Sequence, residues 1–475
     1  MLADDSRDVM IAKEAIIRGK LPLFGPFSSA GPFVFGPLYY WFAVFCYLLF
    51  PRSLESLWVM LGILDLVNVG IFYLCGYLLG GKRLGLITAF FAAISPQMVF
   101  RSMIFGPHSF ISITTSFSIL FFILFSKTKK LLFLLLMGIA LGAAINTHYQ
   151  AINLLFFLPA IFFIPAELKK KIKGYFALAM GFLFPSLPLL VWDSQQNFAN
   201  IRNLADYFLI GQYRIYVPNS WKLFIFKYIP NYWSFVSGGN TYLAFFMIVV
   251  IASVFLYLII KKKIGRPLFI LISVFSVMMF LNRFYRGERS EGYLIYFSPF
   301  IIIFTSYVIN FLLSNTIKRK SIRVWVKLSG IILITILIIG NGIKIASLII
   351  PFDNHLIEIK KTVEILSKNK PKQGYALFDF DWFYGTKSYP LALIMEEKKL
   401  LDPQGIPIGV TCNPYPAPII MKYQDKCKII DLSGIKGRKD EKRWLPVSQK
   451  YLYDDLITRW TNNKLPTNFR FFNKF

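Results

Sequence analysis

The sequence predicts an α-helical polytopic membrane protein with a small extracytoplasmic α/β domain at its C-terminus. Three observations lead there. Of 475 residues, 56% are hydrophobic and 17% aromatic, with mean hydropathy +0.54, well outside the composition of soluble domains. About ten apolar segments approach the length a helix needs to cross a bilayer. Basic residues collect in every second connecting loop, the pattern left by cytoplasmic retention of positive charge.

The candidate spans are 54–79, 84–100, 110–125, 131–145, 151–164, 175–192, 242–260, 267–281, 294–313 and 328–350. The basic loops hold Lys82 and Arg83; Lys127, Lys129 and Lys130; Lys169, Lys170, Lys171 and Lys173; Lys261, Lys262, Lys263 and Arg266; and Lys318, Arg319, Lys320, Arg323 and Lys327. With ten spans all five loops are cytoplasmic together. Residues 36–51, whose apolar core is short and rich in Tyr and Trp, fit a helix lying along the outer surface; as a further span they would put every basic loop outside. Three regions follow: a first extracytoplasmic loop over 1–53, a transmembrane bundle over 54–350 and an extracytoplasmic α/β domain over 351–475. An outside N-terminus with no apolar segment ahead of it implies one further helix preceding the sequence.

The formal net charge of +28 would point to nucleic acid in a soluble protein. Here the excess sits in short loops between apolar segments, which argues for topology and anionic lipid contact and against nucleic acid. Cys46 and Cys75 lie in apolar segments as packing residues. Cys412 and Cys427 can form a disulfide if their domain is extracytoplasmic; two unpaired thiols are the alternative. In that domain 375–380 and 428–432 read as strands and 391–401 as a helix. Asp379 and Asp381 read as strand-surface residues. Asp65, with Asn68 nearby, is an ionisable group inside an apolar span, where it either pairs within the bundle or faces a lipid cavity.

Asp4 and Asp5 are the first candidates for chemistry. Adjacent carboxylates push their pKa values apart and can split roles, one as general base and one binding metal or orienting an acceptor. A divalent metal ion held by these two is the one cofactor the sequence offers; an acidic helix N-terminus is the plainer reading of the same residues. A second cluster, Arg283, Arg286 and Arg289 interleaved with Tyr285, Glu288, Glu291 and Tyr293, lies on the outer side against the charge trend, as does Arg101. Arginine suits phosphate through its planar fork; lipid headgroup contact or pairing with Glu288 and Glu291 is the alternative. His148 and Tyr149, at an outer turn, offer a titratable group near neutrality. His108 is similar, and the three histidines are too scattered for a zinc site.

Asp4-Asp5-Ser6-Arg7-Asp8, Ile11-Ala12-Lys13-Glu14, Gly19-Lys20-Leu21-Pro22 and Gly36-Pro37-Leu38-Tyr39-Tyr40-Trp41 together resemble the first extracytoplasmic loop of GT-C membrane glycosyltransferases. The nearest likeness is to the protein O-mannosyltransferase and aminoarabinose transferase group. The resemblance extends to Ser95-Pro96, Arg101, Gly106-Pro107, Thr147-His148-Tyr149 and Tyr285-Arg286-Gly287-Glu288 with Tyr293 and Pro299. It covers residues 1 to about 310, and residues 351–475 carry no part of it. It implies a catalytic base at Asp4, with Asp5 as its acidic neighbour. It further implies a polyprenyl-phosphate-linked sugar as donor, a lipid, glycan or protein acceptor, inversion at the anomeric carbon and an active site on the outer face of the plasma membrane. Phe35-Gly36-Pro37 stands where aminoarabinose transferases carry Glu-Lys-Pro, which argues against that sugar. A transporter or lipid flippase, the competing class, would show inverted repeats and ionisable residues at mid-membrane. A receptor or scaffold would leave the acidic first loop unexplained.

Overall fold

A computed structural model describes residues 3–28, 31–50, 56–211, 220–285, 291–314, 320–379, 388–402, 404–412, 417–423, 427–434 and 445–446. In chain order the helices are α1 Ala3–Arg18, α2 Leu38–Leu49, α3 Ser56–Gly80, α4 Lys82–Ala93, α5 Pro96–Ser102, α6 Ser109–Thr128 and α7 Leu131–Thr147. A 3₁₀ helix, Tyr149–Phe156, leads into α8 Phe157–Phe162, followed by α9 Leu168–Gln195, α10 Ala199–Leu209 and α11 Ser220–Leu223. A π turn, Phe224–Tyr228, leads into α12 Ile229–Val236, then α13 Thr241–Ile260 and α14 Arg266–Asn282. A second 3₁₀ helix, Glu291–Phe297, opens α15 Ser298–Leu313, and α16 spans Lys320–Lys368. Each of the ten apolar segments is thus mainly helical over its described residues.

Among the described residues six helices are long and apolar enough to cross a membrane: α3, α6, α9, α13, the run Tyr293–Leu313 and the Arg323–Ile349 part of α16. The segment 84–100, expected as one span, is two helices bent by 56°. Pro96 is the cause. It occupies the first turn of α5, and Ser95 before it is extended, since the proline ring disfavours helical geometry in the preceding residue. The segment 151–164 likewise begins as 3₁₀ helix. At about 2.0 Å rise per 3₁₀ residue against 1.5 Å for α, the pair Tyr149–Phe162 still runs about 25 Å.

The chain divides into two compact units. One comprises Leu23–Tyr39 and Trp58–Leu348. Its interior is a continuous apolar core from α6 and α7 to α13, α14 and α15, with Phe72, Phe122, Phe157, Phe300 and Phe304 fully buried. α7 and α9 pack closest. A β-carbon on Gly138 would stand 2.1 Å from the Leu178 carbonyl oxygen, and one on Gly181 2.1 Å from that of Leu135. Small residues facing each other let two backbones meet in this way.

The basic loops gather. Burial, then Arg266 and Lys170 close by, lower the pKa of Lys129, so the α6–α7, α8–α9 and α13–α14 connections share one end of this unit. Arg83 donates to the Leu313 carbonyl at 3.3 Å, which joins the α3–α4 connection to the end of α15.

The second unit comprises Met1–Pro22, Tyr40–Leu57 and Ile349–Phe475. Its sheet has the strand order β3-β4-β2-β1-β5, with β1 Tyr375–Asp379, β2 Ile406–Thr411, β3 Ile419–Tyr423, β4 Cys427–Asp431 and β5 Leu445–Pro446. Between β1 and β2, which pair in parallel, the chain forms α17, Ser388–Glu397, as a parallel crossover requires. β2 and β4 are antiparallel, and a disulfide joins Cys412, just past β2, to Cys427, which opens β4. Cys46 and Cys75 are free and buried. Asp381 and the side chain of Asp379 lie outside the described residues.

Candidate functional site

The site assembles where α6 begins and α7 ends. His108 precedes α6 and His148 follows α7. Their rings meet at a tilt of 38° with centroids 4.2 Å apart, and Phe35 stacks on His148 at 4.4 Å. Tyr293 meets both imidazoles edge-on. Burial, reinforced by the nearby Arg101 guanidinium, pushes the His108 pKa down to about 3. Burial, then His108 and Arg101, holds that of His148 well below its ordinary range. Both imidazoles are therefore neutral at physiological pH. The Gln150 backbone N–H donates to His148 Nδ1 at 3.3 Å, which leaves the ring proton of the neutral form on Nε2. Two neutral imidazoles in contact beside a guanidinium offer hydrogen-bond donors around a fixed positive charge.

The first-loop segment is fastened to this turn by buried amides. Gly36 N–H donates to the Asn146 backbone carbonyl at 2.7 Å. The Asn146 carboxamide accepts from Leu38 N–H at 3.2 Å and donates to the Pro185 carbonyl at 2.9 Å. A β-carbon on Gly36 would fall 2.0 Å from Asn146 Nδ2. Gly36→Ala is thus expected to eject the carboxamide from both bonds and to destabilise this unit by about 1–3 kcal/mol, seen as a lowered Tm in detergent.

The α9–α10 corner supplies a second fastening. Asp193 accepts from the Asn200 and Ile201 N–H groups at 2.7 and 3.1 Å, capping the start of α10. Asn200 in turn accepts from Val34 N–H at 2.8 Å and donates to the Tyr149 hydroxyl at 3.2 Å. Tyr149 donates to the Val34 carbonyl at 2.7 Å. It is therefore a buried strut as well as a wall of the site.

These fastenings frame a cavity of about 310 Å³. Its walls are mainly aromatic, with Phe35, Tyr149, Tyr207, Tyr285 and Tyr293 among them, and His148 reaches it. Polar groups converge at two places. Asn153 donates to the Tyr296 hydroxyl at 2.8 Å and Asn282 donates to the same oxygen, while the Tyr207 and Tyr285 hydroxyls meet at 2.6 Å. A largely apolar pocket with a few convergent polar groups is the usual form of a small-molecule site. Aromatic faces flanked by amides and hydroxyls suit a sugar ring, with its apolar C–H faces and polar rim.

Of the residues expected from sequence, Arg101, His148, Tyr149, Tyr285 and Tyr293 thus come together. Arg283 lies over the Phe284 and Phe280 rings, 5.0 and 5.9 Å from their centroids, and Phe284 lines the cavity. Arg286, Glu288 and Arg289 lie outside the described residues. Asp4 and Asp5 occupy the first turn of α1, in the other unit, and their side chains lie outside the described residues. Among the described residues no three His, Cys, Asp or Glu side chains converge on a possible metal site. Phe33, Asn153, Tyr207, Asn282 and Tyr296 were not anticipated. Asn282 offered a signal as the polar residue closing an apolar span; the others show none locally.

Comparison with known proteins agrees with this architecture. Residues 32–192 match the family described as dolichyl-phosphate-mannose-protein mannosyltransferase. The structure is similar to apo ArnT from Cupriavidus metallidurans, with TM-score 0.59 and 10% identity over 92% of this chain and 94% of that one. ArnT from the same organism bound to undecaprenyl phosphate gives 0.57 and 11% over 90% and 93%. The Archaeoglobus fulgidus oligosaccharyltransferase in its apo form gives 0.52 and 13% over 82% of this chain and 60% of that one. No curated protein matches significantly. The fold is therefore similar to that of ArnT. The resemblance to the mannosyltransferase and aminoarabinose transferase group is borne out over residues 32–192 and in the fold.

Proposed function

We propose that this protein transfers a sugar from a polyprenyl-phosphate donor to an acceptor hydroxyl on the extracytoplasmic face of the plasma membrane, with inversion. The Asp4 carboxylate takes the acceptor proton as the oxygen attacks the anomeric carbon. The bond from that carbon to the phosphate oxygen breaks, and polyprenyl phosphate departs with the electron pair. Stabilising the charge that builds on this leaving group is the main catalytic task. Arg101 supplies a fixed positive charge for it, and neutral His148 supplies an N–H that costs no proton uptake. The loop of Arg283, Arg286 and Arg289 is a second source of cations for the same phosphate.

One observation carries the reading. The sugar-sized aromatic cavity adjoins the Arg101–His108–His148 cluster, so a ring site and an anion site lie side by side. Two others support it. One ArnT structure holds undecaprenyl phosphate. The cluster and the gathered basic loops also sit at opposite ends of α6 and α7, whose 20 and 17 residues span about 25–30 Å at 1.5 Å per residue. With the basic end cytoplasmic, the cluster faces outward. The Cys412–Cys427 disulfide fits an oxidising compartment for the C-terminal part.

The test is transfer from a polyprenyl-phosphate hexose by the purified protein, together with Asn153→Trp, which fills the cavity. Wild-type transfer that the filled variant loses by at least about tenfold, with Tm retained, is the expected result. Undiminished transfer by Asn153→Trp would remove the cavity from the reaction. For sidedness, a cysteine at Lys127 should resist an impermeant thiol reagent in intact cells. One at residue 440 should react.

A further inference from the structure

The C-terminal part has no role in the reading above, yet it packs on the helix that carries the proposed base. α1 buries Val9, Ile11, Ala12 and Ala15, and α17 of the C-terminal fold packs against it. Lys13 Nζ lies 3.2 Å from Glu397 Oε1 at the end of α17 and 5.5 Å above the Tyr47 ring of α2. One turn nearer the N-terminus, the Asp8 carboxylate is only 1% exposed and accepts from the Tyr40 hydroxyl of α2 at 3.2 Å. Beyond the end of α1, Trp41 Nε1 donates to the Pro22 carbonyl at 2.7 Å. α1 is thus held at residues 8 and 13, and the segment that follows it at residue 22, by two different elements, α2 and α17.

We infer that the C-terminal domain, through Glu397 and Lys13, and α2, through Tyr40 and Asp8, fix the depth and rotation of α1 and so aim Asp4 for catalysis. Asp8, Lys13 and Glu397 are positioning residues; none is assigned contact with substrate. The inference rests on the assignment of Asp4 as base. Asp4 and Asp8 are separated by one turn of a single helix, about 6 Å along its axis, so whatever sets the rotation of α1 at Asp8 sets it at Asp4. A partly exposed ion pair adds little to stability, whereas displacement of a catalytic group by about 1 Å can cost two orders of magnitude in rate. Loss of the clamp therefore acts on turnover far more than on folding.

Charge reversal tests this in the full-length protein. Lys13→Glu and Glu397→Lys are each expected to lower kcat about tenfold. The KM for polyprenyl-phosphate hexose should change less than about twofold, because the clamp does not touch the donor. Hydrogen exchange should quicken over residues 3–18. The double swap, which re-forms the pair in reverse, should restore both turnover and protection. Tyr40→Phe, which removes one hydroxyl, should lower kcat in the same way and stands in if a reversed variant fails to fold. Wild-type turnover in both single reversals would overturn the inference, as would a double swap no faster than either. So would lost protection with unchanged kcat. If Asp4→Asn proves active, the base assignment falls, while exchange over residues 3–18 still reports whether the clamp exists.

Discussion

Asp4→Asn is expected to abolish sugar transfer while the protein inserts, folds and elutes as the wild type does. The amide keeps the shape of the carboxylate but cannot accept a proton, and general-base catalysis contributes about 10²–10⁴-fold. The loss should appear in kcat with donor KM nearly unchanged, because proton transfer belongs to the transition state and not to donor binding. Asp5→Asn should cost less, or cost in proportion to divalent metal if the pair holds an ion. Steady-state kinetics with a polyprenyl-phosphate hexose, with and without a chelator, separate these outcomes. A well-folded Asp4→Asn variant with wild-type turnover would end the assignment of the base.

Much of the membrane architecture is written in local pattern. Ten apolar runs and five basic loops give the helices and their connections, because apolar length and loop charge are decided residue by residue. The corrections fall where a single residue overrides the pattern: Pro96 breaks what reads as one span into α4 and α5. In the C-terminal sheet β1 and β4 were legible as apolar runs. β2 was not, since Pro407 and Gly409 lower the apparent strand propensity of Ile406–Thr411, which its parallel and antiparallel neighbours then impose.

The candidate site divides the same way. Arg101, His148, Tyr149, Tyr285 and Tyr293 stood out because each is polar at the end of an apolar run. Tyr207 and Asn153 did not, since their partners lie 78 and 143 residues away in sequence. Asn200 was invisible for the same reason: it ties Val34 to Tyr149 across 166 and 51 residues. Long-range hydrogen bonding leaves no trace in local periodicity. The link between α1 and the C-terminal domain, Lys13 to Glu397, spans 384 residues. It belongs to the same class.

Arg101→Ala is the second large effect expected, and it has two signatures. We propose that the guanidinium binds the donor phosphate in the ground state and more strongly as the phosphate gains charge in the transition state, so both KM and kcat should suffer. A charged hydrogen bond contributes about 1.5–3 kcal/mol, equivalent to about ten- to a hundredfold in kcat/KM. Arg101→Lys should rescue only in part, a point charge replacing a planar fork. Arg283→Ala provides the contrast: its guanidinium lies over the Phe280 and Phe284 rings, and a smaller loss there would assign the phosphate chiefly to Arg101. The second signature is in acid stability. His108 has its folded pKa lowered to about 3 and His148 is lowered likewise, so between the unfolded value near 6.5 and the folded values the unfolded chain binds more protons. Stability is then full above about pH 6.5 and declines as pH falls through that window, by about 1.4 kcal/mol per pH unit for each histidine. Removing Arg101 removes one cause of the lowered values. Both imidazoles should then protonate more readily in the folded protein, and the window should narrow. Tm measured from pH 7 to pH 4 should therefore fall less steeply in Arg101→Ala than in the wild type, even as transfer fails. A fall as steep as the wild type's would mean that Arg101 does not act on the histidines, and would remove it from the anion site.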